Sequence, residues 1–350
     1  MPVMLVLKRL VESLDAIPAA TSWYLTDLAE ARGGQKLFTL QAPQGLKTLC
    51  EHAIVESAIS SNRIEGVEVE RSRVGTVVFG RRTLQDRAEE EVRGYRNALK
   101  LIHVKCADLP ISERTVRDLH RLSRGELWDG GKYKVKDGDI VEHLPDGRSR
   151  ARFVTVKARE TPAMMRRLFA AWDEAVRSRE LQPLVALAAF NLDFLCIHPF
   201  RDGNGRVSRL MLLLQCYHLG FEVGRYISLE RIIEENKERY YETLELSSRE
   251  WHEGRADPWP FINFTLFVLR LAYKEFESRV GEVPSRGLKA ETIFRAIKQT
   301  IGPFRVSDIV RACPGVGIDH IRKTLARLRR EGKVRCLGRG QSAAWERTVE

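Results

Sequence analysis

The feature that most constrains this 350-residue chain is a nearly all-apolar segment, residues 183–197, which begins with a proline. Proline is favoured in the first turn of a helix, and a helix that is apolar on every face must be covered on every face. We therefore expect this helix to lie at the centre of a mainly α fold. A second apolar helix is predicted over 206–219, because Gly220 supplies a common terminating residue.

The short loop between these two helices concentrates polar chemistry. It contains a histidine, an aspartate, a Gly-Asn-Gly turn and the first of two arginines, Arg206 and Arg209. A glycine-rich turn that opens a helix binds anions, because unpaired backbone N–H groups and the positive end of the helix dipole meet there. The arginines lie three residues apart and so share a helix face beside the turn. The pattern predicts a site for a phosphorylated ligand, with His198 placed to move a proton.

Changes in local pattern divide the chain into three predicted regions. Residues 1–110 are expected to be helical, and residues 111–280 to contain the apolar helices and the polar loop. Within the second region, turn signals over 130–154 surround short strand-like pieces at 133–135 and 152–154, which indicates a small β-hairpin flap. Residues 285–350 follow a turn-rich linker and show helix, helix, turn, basic helix and hairpin, the order typical of a winged helix-turn-helix.

Composition and charge narrow the class of protein. No apolar run approaches the ~20 residues of a membrane span, and the N-terminus lacks the apolar stretch of a secretory signal. We therefore expect no membrane contact. The six cysteines are scattered, which argues against a zinc site or a disulfide framework. Free thiols of this kind favour a reducing, cytoplasmic location. Residues 288–350 carry 14 Lys and Arg against six Asp and Glu, a net charge of +8, which suggests a polyanionic partner.

The loop and the residues after it resemble the signature of Fic-domain proteins. The family pattern has eight fixed positions, and this chain fills all of them: His198, Phe200, Asp202, Gly203, Asn204, Gly205, Arg206 and Arg209. A chance match of this kind has odds on the order of 10⁻⁸. The resemblance, which covers roughly residues 40–265, implies a Fic-type helical core with a small flap.

Two further segments resemble elements of the same family. Residues 61–66 are similar to the autoinhibitory segment of the class whose inhibitory helix is N-terminal, and Glu65 stands at its acidic position. Tyr240 and Tyr241 begin a Tyr-Tyr-x-x-Leu element that lines the family's nucleotide pocket. Ser248 stands where the family often has an asparagine that contacts the ribose.

The resemblance implies transfer of AMP from ATP to a Tyr, Thr or Ser hydroxyl of a target protein. His198 is then the general base, a role that suits imidazole near neutral pH, and Asp202 the Mg²⁺ ligand. The backbone of the turn, residues 203–205, would cradle the phosphates: Gly203, Asn204 and Gly205. Arg206 and Arg209 would grip the β- and γ-phosphates.

The same resemblance assigns roles around the nucleotide. Glu65 would pair with Arg209 and hinder placement of the γ-phosphate. Tyr240 and Tyr241 would flank the adenine, although packing of an amphipathic helix explains this pair equally well. Phe200 is expected to anchor the loop by packing in the core.

Other functions stay open at this stage. Family members also remove AMP, with the inhibitory glutamate positioning water, and some transfer other phosphate-containing groups. From a different class, the chain could be a DNA-binding regulator that uses the basic helix 318–330 and keeps the Fic core as a nucleotide sensor. A homodimer is a further expectation from the family.

Overall fold

The structure, a computed structural model, describes residues 4–14, 16–41, 43–70, 73–80, 84–125, 129–143, 149–281, 293–294, 296–297, 300, 303–313, 317–338 and 343–348. It is mainly α-helical, as the sequence predicts. The chain forms two compact units. The first contains residues 1–37 and 47–276, so the predicted regions 1–110 and 111–280 belong largely to one body. The second contains residues 38–46 and 277–350.

Helices dominate the first unit. In chain order their bounds are α1 Val6–Ser13, α2 Ala19–Gln41, α3 Pro43–Ile64, α4 Val74–Phe79, α5 Arg87–Lys105, α6 Glu113–Ser123, α7 Thr161–Ser178, α8 Pro183–Ile197, α9 Asn204–His218, α10 Leu229–Glu235, α11 Lys237–Ser248 and α12 Trp259–Gly281. Single 3₁₀ turns at Cys106–Asp108 and Val223–Arg225 complete it. Residues 38–41 of α2, 43–46 of α3 and 277–281 of α12 are counted with the second unit.

The predicted apolar helix α8 lies at the centre of this unit. Its residues from Leu184 to Ile197 are all buried, against α1, α7, α9 and α11. Gln182 caps its start, because the side-chain oxygen accepts from the amides of Leu184 and Val185. The next helix, α9, begins at Asn204 rather than at the predicted Arg206, since Gly203 takes the left-handed conformation (φ 82°) that starts it.

The flap is an antiparallel hairpin of β1, Ile140–His143, and β2, Ser149–Phe153. Val141 lies opposite Ala151, and the register is irregular between residues 140 and 141. The predicted strand at 133–135 is wrong. Those residues are irregular because the Lys134 amide donates to the Pro199 carbonyl (2.9 Å) instead of to a strand.

The second unit has a three-stranded antiparallel sheet, two helices described over their whole length, and further helical residues at 293–294 and 296–297. The strand order is β3, β5, β4, with bounds Phe304–Arg305, Ala344–Arg347 and Val334–Cys336. Helices α13, Val306–Ala312, and α14, Ile318–Arg330, precede β4. The unit has its own apolar core, to which α14 contributes Ile321, Leu325 and Leu328.

Two findings concern the chemical class of the chain. Within the part that the structure describes, no helix combines the length and apolar character needed to cross a membrane. The six cysteines all lie in described segments, and all are free thiols.

Candidate active site

His198 stands directly after α8, in the left-handed backbone conformation (φ 52°, ψ 61°). Its amide donates to the Phe194 carbonyl at 3.0 Å. The ring Nδ1 lies 3.3 Å from the Leu195 carbonyl oxygen. Because a carbonyl can only accept, Nδ1 carries the proton and Nε2 is left to accept one. Burial, together with the nearby Lys134 cation, lowers the pKa of His198 to about 4, so the imidazole is neutral at pH 7.

The loop after His198 is closed by one side-chain amide. Asn204 Oδ1 accepts from the Phe200 amide (2.9 Å), and Asn204 Nδ2 donates to the Phe200 carbonyl (2.8 Å). Phe200 is fully buried and stacks on the His120 ring, with 3.7 Å between centroids. The Asn204 side chain therefore shapes the loop, and its contribution to an anion site is its backbone N–H at the start of α9.

Helix α6 holds the loop from outside, through residues that sequence reasoning missed. His120 Nδ1 accepts from the Gly131 amide (2.8 Å), which leaves Nε2–H to donate to the Asp202 carbonyl (3.0 Å). Burial lowers the pKa of His120 to about 4, consistent with this neutral tautomer. One turn later, Arg124 Nη1 donates to Asp202 Oδ2 at 2.6 Å. The i, i+4 spacing of a histidine and an arginine on a helix was the available signal.

Asp202 is an ionised carboxylate surrounded by cations. Oδ2 also accepts from Arg87 Nη2 (3.2 Å), and Oδ1 accepts from the Gly203 amide (2.6 Å). Burial alone would raise the pKa of Asp202, but Arg124 and Arg206 outweigh it and hold that pKa below its ordinary value. The side chain is 48% exposed. No cluster of three or more His, Cys, Asp or Glu suited to a metal exists among the described residues. A cation on Asp202 would therefore take most of its ligands from phosphates and water.

Arg206 lies beside the loop, with its Nη2 3.6 Å from Asp202 Oδ1. It is buried, and Nη1 donates to Glu91 Oε2 (2.7 Å) and to Asn62 Oδ1 (3.2 Å). Glu91, which is also buried, accepts from Arg124 through its other oxygen at 3.1 Å. Arg206 thus joins the loop to α3 and α5.

Arg209 faces the predicted inhibitory segment. The guanidinium is buried, and it donates to Ser61 Oγ and the Ser61 carbonyl (2.9 Å each) and to Glu65 Oε1 (2.8 Å). Its Nη1 is buried without a hydrogen-bond partner in the described part of the chain. Glu65 Oε1 lies directly over Gly205, where a Cβ would overlap it. The carboxylate therefore lies at the start of α9, where an anion is favoured.

A cavity of about 320 Å³ opens beside this ion pair, within the size range of small-molecule sites. It brings together His198, Gly205, Glu65 and both predicted tyrosines. Asp202, Arg206 and Arg209 do not form its wall. The remaining lining residues come from the flap, α8 and α11: Ile140, Arg152, Phe153, Leu195, Cys196, Leu244, Glu245 and Ser248.

The two tyrosines of α11 differ in their surroundings. Tyr240 is buried against Phe261 and Phe264, with ring centroids 6.2 and 5.7 Å away. Tyr241 donates its hydroxyl to the Ile64 carbonyl (3.2 Å), and the Arg152 guanidinium lies 5.4 Å from its ring centroid. Arg152, from flap strand β2, also donates to the Tyr241 carbonyl at 2.8 Å. The flap and the tyrosine pair therefore form one wall of the cavity.

Comparison with known proteins gives this arrangement a context. Residues 110–216, which include α8 and the signature loop, match the model of the Fic/DOC family. The chain is 24% identical to the "Protein adenylyltransferase Fic" of Drosophila grimshawi over 230 residues, 64% of this chain and 43% of that protein. The corresponding Drosophila virilis protein is 25% identical with the same coverage. The chain thus spans less than half the length of these curated relatives.

Solved structures show the same fold. A crystal structure of a Fic family protein from Desulfovibrio desulfuricans G20 is 23% identical, covers 96% of this chain and 98% of its own, and has a TM-score of 0.67. A Fic domain containing signaling protein from Bacteroides thetaiotaomicron VPI-5482 is 20% identical, covers 74% and 98%, and has a TM-score of 0.60. The Fic-type helical core with a small hairpin flap, which the signature residues implied, is confirmed.

Proposed function

We propose that this protein is an adenylyltransferase that moves AMP from ATP to a hydroxyl side chain of a target protein. One observation carries the proposal: the neutral His198 and Gly205, in the first turn of α9, line the same cavity of about 320 Å³. A base and an anion cradle in one cavity suit attack by a hydroxyl on a phosphate. The names of the Drosophila relatives agree with this reaction.

The reaction follows from these groups. The target hydroxyl oxygen forms a bond to the α-phosphorus, the bond from that phosphorus to the β-phosphate bridging oxygen breaks, and pyrophosphate leaves. His198 Nε2 takes the hydroxyl proton, since Nδ1–H is held by the Leu195 carbonyl. Backbone N–H groups at 203–205 and the unpaired Nη1 of Arg209 would stabilise phosphate charge.

Asp202 fits the role of a magnesium ligand. It is ionised, about half exposed, and held at the loop by α6. Magnesium is commonly bound through one or two carboxylates together with substrate phosphates, and when bound it neutralises their charge. Arg206, which is bonded to Glu91, would support the loop. Tyr240, Tyr241 and Ser248 would line the nucleoside side of the cavity.

Glu65 is the proposed inhibitor. Its carboxylate takes a hydrogen bond from Arg209 and lies over Gly205. A terminal phosphate that approached the same cradle would meet a negative charge and would find Arg209 already engaged. The described contacts of α3 with Arg206 and Arg209 hold this segment against the loop.

The flap would receive the target segment. In the described part of the chain, β1 pairs with β2 alone, so the other edge of β1 offers backbone groups to an added strand. Proline at Ile140 or Val141 would then reduce target labelling while nucleotide binding persists. If both fell together, the flap would not be the docking edge.

The test is label transfer from α-labelled ATP and Mg²⁺ onto protein in a cell lysate. The samples are wild type, Glu65→Gly and the double variant Glu65→Gly/His198→Ala. Label in the single variant that disappears in the double variant supports the proposal and identifies the target band. No label in any sample contradicts it. Loss of AMP from an already modified protein, dependent on Glu65, would instead indicate the reverse reaction.

A second candidate function rests on α14. Its buried face packs in the core of the second unit, and its opposite face exposes Arg322, Lys323, Arg329 and Arg330. With the strand arrangement around it, this helix fits the recognition helix of a winged helix-turn-helix, and exposed cations supply phosphate contacts. We propose DNA as the partner of this unit, with the Fic core as a nucleotide sensor.

Fluorescence anisotropy with a labelled duplex, between 50 and 300 mM salt, tests this second function. The variant Arg322→Glu/Lys323→Glu of the full chain should lose binding, whereas the matched double reversal Lys100→Glu/Arg114→Glu on the first unit should keep it. Equal binding by both variants would exclude α14 as the contact surface.

A cytoplasmic location and a homodimer stay part of the proposal, and sedimentation of the full chain tests the dimer.

A further inference from the structure

Lys134 is a buried ammonium group that the proposed reaction does not use. Its side chain is 8% exposed, and the described residues offer it no carboxylate within 4 Å. Burial lowers its pKa to about 8, an effect that Asp137 and Asp139 offset only in part. A buried cation without an ion-pair partner is unfavourable for folding, so such a group is a candidate for a functional role.

The contacts of Lys134 lie on both sides of His198. Its Nζ donates to the Ile197 carbonyl at 3.3 Å, and its backbone N–H donates to the Pro199 carbonyl at 2.9 Å. The residues immediately before and after His198 are therefore both held by one lysine. Lys134 itself is not in the cavity wall.

The backbone of His198 explains why such support matters. Its φ of 52° places it in the left-handed region, where only two other described non-glycine residues lie, Arg179 and Glu250. A residue other than glycine keeps this backbone conformation only where its surroundings fix it. The Ile197 carbonyl belongs to the peptide group that precedes His198, and the Pro199 carbonyl to the peptide group that follows Pro199. Lys134 therefore restrains the backbone on both sides of His198, and with it the direction of the Cα–Cβ bond of His198.

We propose that Lys134 is the positioning residue of this site: it holds residues 197–199 so that His198 turns Nε2 toward the cavity. The role of His198 as base rests on the proposed function, whereas the support of its backbone does not. Nζ also donates to Thr155 Oγ1 (2.7 Å), and Thr155 donates to the Gly138 carbonyl (2.6 Å). The support of His198 therefore extends to the base of the flap.

The positive charge of Lys134 also affects the pKa of His198. The charged groups that act on His198 are Lys134, which lowers its pKa, and Glu65 and Asp202, which raise it. Removing the ammonium should therefore raise the pKa of His198, and replacing lysine by arginine should not. A purely structural role for Lys134 would not produce this difference between the two variants.

The test compares Lys134→Met with Lys134→Arg in the full chain. Methionine removes an unpaired buried charge at nearly constant volume, so the variant should fold. Lys136→Met, an exposed lysine two residues away, is the matched control. Ring resonances of His198, followed by NMR against pH, should show its pKa raised by about one unit in Lys134→Met and near wild type in Lys134→Arg and Lys136→Met.

Kinetics in a Glu65→Gly background give the second readout. We expect kcat to fall on the order of 100-fold in Lys134→Met, with nucleotide Kd changed less than about twofold, because misplacing a base affects the chemical step. Lys134→Arg should recover most of kcat. An unchanged His198 titration in folded Lys134→Met, or no recovery by arginine, overturns the inference. Absence of transfer in every variant would overturn the proposed function, while the NMR titration would still decide the role of Lys134.

Discussion

Arg209 donates from Nη2 to Glu65 Oε1 at 2.8 Å, and the same carboxylate lies over Gly205 at the start of α9. One side chain thus engages both the buried guanidinium and the helix N-terminus, the two features that favour a phosphate group. Arg209 is also held by Ser61, in the last turn of α3, which ends just before Glu65. The guanidinium therefore keeps its place when Glu65 is removed.

Glu65→Gly should raise AMP transfer and change the response to nucleotide. We expect activity to rise on the order of tenfold or more, a usual range for coupling between a regulatory and a functional contact. Loss of the Glu65 carboxylate leaves Arg209 without one of its hydrogen-bond acceptors. This should lower the free energy of unfolding by about 1 kcal/mol. Nucleotide should then raise Tm more in the variant than in wild type, as thermal unfolding measures.

Glu68→Gly is the control for this prediction. Glu68 is exposed, three residues further on, and adds the same glycine to the same segment. It should behave as wild type in both assays. Equal AMP incorporation by wild type and Glu65→Gly would contradict autoinhibition by Glu65.

Asp202→Asn should change the affinity for MgATP and the affinity for metal-free ATP in different ways. A carboxylate repels free ATP phosphates and attracts their magnesium complex, so the variant should bind MgATP more weakly, by about tenfold, and metal-free ATP at least as well as wild type. Calorimetry with and without Mg²⁺ measures both affinities. Asp173→Asn, on an exposed position of α7, should leave both unchanged. A parallel loss of both affinities would show that Asp202 supports the loop and does not hold a metal.

The centre of the fold and the loop are the parts that the sequence predicts best. The signals are local: a proline and an apolar run for α8, a glycine at the start of α9, and a polar loop between them. Lys134 carries no such signal, and the i, i+4 spacing of His120 and Arg124 indicates only a shared helix face. The roles of all three depend on carbonyls and a carboxylate more than 60 residues away. Such partners exist only after the helices have packed.

The two arginines of α9 also have contacts that the sequence pattern alone does not predict. Their spacing places Arg206 and Arg209 on one helix face, which predicts a shared ligand. In the structure they meet different neighbours, since Arg206 bonds to Glu91 of α5 and Arg209 to Ser61 and Glu65 beside α3. Spacing along a helix gives direction, and the packing of other helices decides what each side chain contacts.

Glu91→Ala should strongly destabilise the protein. Glu91 is buried, and its carboxylate accepts from Arg87, Arg124 and Arg206. Its removal takes from two buried guanidinium groups, Arg124 and Arg206, the buried carboxylate that they share, which we expect to lower the free energy of unfolding by about 3–5 kcal/mol. Urea unfolding measures the change. Glu90→Ala, the exposed neighbour on α5, should change it by no more than about 0.5 kcal/mol. Similar values for the two variants would mean that the buried network adds little to stability.

Stability should fall when the solution is acidified below pH 6.5. Burial lowers the pKa of His103, His120 and His198 to about 4 in the folded state, from an ordinary value of 6.5. The unfolded chain therefore binds these protons first, and stability present above pH 6.5 is lost as pH falls toward 4. Between pH 7.5 and 5.5 the three histidines account for a loss of about 4 kcal/mol.

Asp193 acts in the opposite direction within the same interval. Its burial raises its pKa to about 6, so the folded state gains a proton and about 1 kcal/mol there. We therefore expect a net loss of about 3 kcal/mol between pH 7.5 and 5.5, as urea unfolding at both values measures. His198→Ala removes one of the three histidines and should reduce the loss by about 1.4 kcal/mol. If wild type and variant lost the same stability, His198 would not titrate as a buried neutral imidazole.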